Sequence, residues 1–125
     1  MKIIEQEEVR KLLQPKDCIQ LMAEALKGLE SGEYAQPARL ITVMPNTAKF
    51  GFMPAYVGDY FGAKVISAFA PNMGTKYPSH IGYVMLFESA HSTVAGMIEA
   101  GSITEIRTGA VSAAATDLLA RKDSH

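Results

Sequence analysis

Cysteine is nearly absent from the 125 residues: Cys18 stands alone, so no internal disulfide can form. That predicts a reducing, cytoplasmic setting. Long apolar runs are missing too. No stretch reaches the ~18 apolar residues that a membrane-spanning helix needs. The acidic opening MKIIEQEEVRKLL lacks the apolar centre of a signal peptide. No membrane partner is expected. No basic block exists and the formal net charge is −1, which argues against nucleic acid as a partner. Tyr34, Phe52, Tyr56 and Tyr60 form no base-stacking array. Neither GxGxxG nor a P-loop occurs. No His, Cys or carboxylate group has metal-ligand spacing, so no metal is expected. Ser79 and His80 have no acidic neighbour in sequence, which leaves a hydrolytic triad unsupported.

What is present is one domain's worth of chain. A hydrophobic content of 48% with 20% charged residues is an ordinary globular balance, and the length suffices for a core. Ile3–Ile4 fits a short strand or a lead-in. Glu5–Leu13 reads as a short helix. Pro15 suits a first helical position, and Ile19, Met22, Ala23, Leu26 and Leu29 recur at helical spacing up to Gly32, a natural stop. The period then changes. Ala38–Met44, Phe50–Val57, Gly62–Ala70, Ile81–Phe87 and Val94–Glu99 read as strands, with Pro71–His80 a loop and Glu88–Thr93 a polar turn. Gly101–Ala120 closes the chain as a helix, for which Ser102 and Glu105 form a candidate capping box. Helices, five strands and a helix predict an α+β fold with N-terminal helices on a mostly antiparallel sheet. No repeat, linker or low-complexity segment interrupts it.

Three cations have unusual surroundings. Arg39 alternates onto the face of Ile41 and Val43, and Lys64 onto that of Ile66 and Ala68. Arg107 lies in the first turns of the last helix, where the helix dipole disfavours positive charge. The residues three and four away are Ile103, Thr104, Ala110 and Val111, so no acid on that helix answers it. Beyond it the side chains are small (Gly109, Ala110, Ala113, Ala114), suiting close approach by another backbone. A cation near a helix N-terminus, unanswered locally, is what an anion site needs. Singly, Arg39 and Lys64 also fit side chains snorkelling at a sheet edge, and Arg107 fits a salt bridge to a distant acid. Together they suggest a carboxylate or phosphate on which all three converge. His80 and Cys18 read as structural, and Met44, Met53 and Met85 as core or pocket wall.

At this point a pattern emerges. The blocks QPARLITVMP, GFMPAY, GAKVISAF, YPSHIGYVMLFE, AGSITEIRTGAVSAAAT and LARKDS follow one another from Gln36 to Ser124, within a match that runs from about Glu7. In order and spacing they resemble the ornithine cyclodeaminase/mu-crystallin family. The resemblance implies an NAD- or NADP-dependent homodimeric enzyme of amino acids or their imines. Residues 1–125 would be its substrate-binding and dimerisation domain, with the NAD(P)-binding Rossmann domain outside this chain. It implies that Arg39, Lys64 and Arg107 hold the substrate carboxylate, that Met53 lines the pocket, and that Ser79 and Arg107 meet the cofactor. Lys64 is the candidate catalytic residue, as a proton source near the imine. The family's proton-transfer Asp and its phosphate-binding glycines would lie past His125, so these residues alone are not expected to complete the reaction. Ornithine-specific members carry a Glu two residues before the pocket Met, where this chain has Gly51. That favours a ketimine reductase or an alanine-type dehydrogenase over an ornithine cyclodeaminase. A non-catalytic ligand-binding or dimerising protein is the reading from another class.

Overall fold

The computed structural model describes residues 1–124. A short strand β1 (Lys2–Ile4) is followed by helices α1 (Gln6–Leu12) and α2 (Pro15–Ser31). Five further strands follow: β2 (Leu40–Val43), β3 (Lys49–Val57), β4 (Tyr60–Ala68), β5 (His80–Glu88) and β6 (Val94–Glu99). Helix α3 (Ala100–Leu119) completes the order. The six strands form one sheet in the order β1-β6-β5-β4-β3-β2. Every pairing is antiparallel except that of β1 with β6. The α+β expectation holds, with a mixed sheet of six strands in place of five. Three residues leading into a helix show too little alternation to declare a strand. Its partner β6, distant in sequence, makes β1 one.

Helix α2 keeps the bounds its periodicity gives. Pro15 opens it and Gly32, at φ 79°, ends it in the left-handed conformation that glycine adopts without penalty. Helices α2 and α3 pack against each other. Their buried residues are small: Cys18 and Gly28 on one, Ala100, Ser102, Ala110 and Ala114 on the other. Of the small residues singled out on α3, Ala110 and Ala114 are buried, whereas a Cβ at Gly109 would meet nothing.

The start of α3 differs from the capping box expected of Ser102 and Glu105. Glu99 caps the helix, and its carboxylate accepts from the amides of Gly101 and Ser102. Glu105 instead pairs with Arg10 of α1. The sequence signature was one turn late because the cap lies at the last residue of β6, where a strand assignment masks it.

The sheet has two unlike faces. Residues alternating along β3, β4 and β5 place Met53, Lys64 and Val84 toward α2 and α3. The intervening set faces away from the helices and includes Phe50, Phe52, Phe61, Val65, Ile81 and Met85. It lines an open apolar trough of about 760 Å³.

Candidate functional site

Between the sheet and the helices lies a second pocket, of about 700 Å³. Three elements deliver cations to it. Lys64 stands at the middle of β4, flanked across the ladder by Met53 on β3 and Val84 on β5. Arg107 comes from the second turn of α3, on the same side as Ile103 and Thr104. Arg39 immediately precedes β2. Met53 contributes to the wall, as do Met22 of α2, Gln36 and Tyr60.

Arg39 is brought there by a tether. The Tyr34 ring packs so closely on Gly28 that a Cβ there would collide with Tyr34 Cδ2. The next residue, Ala35, exchanges backbone hydrogen bonds of 3.0 and 2.8 Å with Tyr56 of β3. Helix, ring and bridge thus fix the start of the segment that runs through Gln36 and Pro37 to Arg39.

Among the described residues the ion pairs are Lys2–Glu8, Arg10–Glu105 and His91–Glu88, and none involves Arg39, Lys64 or Arg107. Among the described residues no aspartate or glutamate lines the pocket. Arg39 and Arg107 are exposed and Lys64 is half-buried. The three cations therefore ring an open pocket, where water solvates the guanidiniums, rather than lying on the buried face that alternation suggested. Lys64 feels the arrangement most. Burial, then the positive charges of Arg107 and Arg39, push its ammonium below the usual lysine pKa. Its Nζ donates to Thr104 Oγ1 at 3.3 Å.

Arg39, Met53, Lys64 and Arg107 are thus brought together. Ser79 is not: it lies half-buried at the end of the loop before β5, where its carbonyl accepts from the Phe69 amide. His80 is exposed at the first position of β5. Glu99 occupies two of the amides at the start of α3, those of Gly101 and Ser102, so these are not free for the anion that a helix N-terminus suggests. Thr104 was recognisable in sequence as a polar residue one turn before Arg107, but only as a residue that is not an acid. Tyr34 and Gly28 gave no signal, because their contact depends on how the chain turns after α2. Among the described residues no three His, Cys, Asp or Glu gather as metal ligands, and no helix is long and apolar enough to cross a membrane.

Known proteins share this arrangement of elements. The chain is 34% identical over 101 residues to a ketimine reductase mu-crystallin of Mus musculus, covering 78% of this chain and 32% of that protein. The Thermococcus litoralis Δ1-pyrroline-2-carboxylate reductase, solved with NADH and L-proline, superposes with a TM-score of 0.91 at 30% identity. That match covers 99% of this chain and 39% of the other. An archaeal alanine dehydrogenase dimer with bound NAD also gives 0.91, at 25% identity, covering 98% of this chain and 38% of that one. The chain thus spans between 32% and 39% of the length of these relatives. The sequence profile of the ornithine cyclodeaminase/mu-crystallin family matches residues 1–125 in full, and the chain belongs to that family.

Proposed function

We propose that this chain is the substrate-binding part of an NAD(P)-dependent oxidoreductase that acts on a small α-amino acid or its cyclic imine. One observation carries the reading: three cations from three separate elements surround a pocket that contains no acid. A carboxylate satisfies that arrangement. An arginine grips it through two parallel hydrogen bonds, and lysine adds a point charge. Holding the carboxylate fixes the neighbouring carbon, and such positioning supplies much of a rate enhancement. Lys64, with its lowered proton affinity, would hold or release a proton beside the imine nitrogen.

The nicotinamide dinucleotide, when bound, supplies or accepts a hydride. Of the two residues expected to meet it, Arg107 lies in the pocket and Ser79 lies outside it, at the end of the loop before β5. No glycine-rich phosphate loop is present in the sequence, and the Gly101 and Ser102 amides of α3 are taken by Glu99. On this reading a Rossmann domain outside these residues would hold the dinucleotide's phosphates, a reading that the relatives' greater length supports.

The same pocket argues for substrates without a distal amine. No carboxylate is available to meet one, and the Gly51 position is closed by Ile66 and Ile41. Ketimine or pyrroline-2-carboxylate reduction fits better than ornithine cyclodeamination. We also infer that the apolar sheet face is covered by a second copy of the chain, since large bare apolar patches mark interfaces and an alanine dehydrogenase relative was solved as a dimer.

The test is steady-state reduction of pyrroline-2-carboxylate by the full-length protein with NADH or NADPH. Arg107→Ala should raise KM at least tenfold, the worth of one charge-assisted contact. Unchanged kinetics would remove the carboxylate clamp. Ammonia release from ornithine would replace reduction with cyclodeamination.

A further inference from the structure

Resting on the carboxylate-pocket reading, we propose that Thr104 is a positioning residue that holds the Lys64 ammonium inside the pocket against the repulsion of Arg39 and Arg107. The problem it addresses is physical. Lysine carries its charge on a flexible four-carbon stem, and nothing covalent keeps that charge beside two guanidiniums. With no carboxylate lining the pocket and no ion pair to Lys64 among the described residues, an unanchored Nζ would swing toward solvent when the site is empty.

A neutral acceptor counters this without neutralising the site. Thr104 Oγ1 accepts from Nζ at 3.3 Å, joining β4 to α3 across the pocket. Thr104 and Arg107 are three residues apart on α3, so one helix face presents both the anchor and a guanidinium. That face is itself fixed: Glu99 caps the helix and Arg10 holds Glu105, the residue after the anchor. An aspartate at 104 would hold Lys64 more tightly but would compete with the substrate carboxylate. A hydroxyl leaves the positive field of the pocket free for the ligand.

The experiment uses the full-length protein and two readouts. The first is calorimetric binding of pyrrole-2-carboxylate, a planar stand-in for a cyclic imine acid, to wild type, Thr104→Val, Thr104→Ser, Lys64→Met and the Thr104→Val/Lys64→Met double variant. Thr104→Val should weaken binding about tenfold, Thr104→Ser should restore it, and Thr104→Val should cost little once Lys64 is gone. The second readout needs no ligand: the pH dependence of Lys64 acylation by acetic anhydride, followed by peptide mass spectrometry. Losing an acceptor disfavours the ammonium, so the Thr104→Val midpoint should move to lower pH and the Thr104→Ser midpoint should stay with wild type. An unmoved midpoint, or an equal loss of binding with and without Lys64, overturns the role of Thr104. Absence of binding by the wild type overturns the carboxylate reading instead, while the acylation midpoint still decides Thr104.

Discussion

Replacing Lys64 with Met should make the ligand-free protein more stable. Lys64 is half-buried and feels Arg107 and Arg39 without any acid in return. The unfolded chain has a lysine of ordinary proton affinity, whereas the folded chain lowers it. Between those two pKa values the unfolded state binds more protons, so stability rises with pH across that window; below it the folded state carries the full repulsion. Like-charged pairs still reached by solvent are worth ~0.2–1 kcal/mol each. Two pairs and a partial desolvation therefore come to about 1 kcal/mol. Met keeps the stem that lies between Met53 and Val84 and removes the charge. For a domain of this size 1 kcal/mol is roughly 4 °C in Tm. The assay is thermal unfolding by circular dichroism at low and high salt. Screening contracts from about 10 Å at 0.1 M to about 3 Å at 1 M, so the gain should shrink as salt rises. The wild type should also stabilise from neutral into alkaline pH more than the variant does. A variant less stable at low salt, or a gain indifferent to salt, would refute the reasoning.

Two further outcomes follow from local geometry. Gly51→Ala places a Cβ 2.7 Å from Ile66 Cγ1 and 2.8 Å from Ile41 Cδ1, and urea unfolding should report a loss of about 1 kcal/mol from overpacking. Burial raises the Glu99 pKa, but hydrogen bonds from the Ser102 and Gly101 amides, with the charge of Arg10, outweigh it and leave the carboxyl below its usual value. The stability it contributes is therefore present above the unfolded carboxylate pKa and lost as pH falls through the folded one. Glu99→Ala should cost about 1 kcal/mol at neutral pH, as loss of a cap does, and flatten the acid side of the stability curve.

Much of this architecture is legible in the sequence. Helix α2 declares itself through its period, Pro15 and Gly32, and β6 through the polar turn before it, where Glu88 accepts from the His91 and Thr93 amides. The cations Arg39, Lys64 and Arg107 were visible as charges out of keeping with their neighbours. Their convergence was not, since it depends on sheet register and on where α3 crosses. Burial was overstated for the two arginines: alternation shows which way a side chain points, not whether water follows it. The first strand, open between strand and lead-in at Ile3–Ile4, is decided by its pairing with the distant β6. The cap is local but hidden, because Glu99 ends β6 and a strand reading conceals a helix cap there.

The Gly28–Tyr34 contact carries a consequence for how this site can change. Arg39 reaches the pocket by a route that begins eleven positions earlier, inside a helix with no side chain of its own in play at that point. A single methyl added at residue 28 would displace an aromatic ring, shift the Ala35–Tyr56 bridge and re-aim a guanidinium, with every pocket side chain unaltered. Variation at this remote glycine is thus a route to altered ligand preference that an inspection confined to the pocket would overlook.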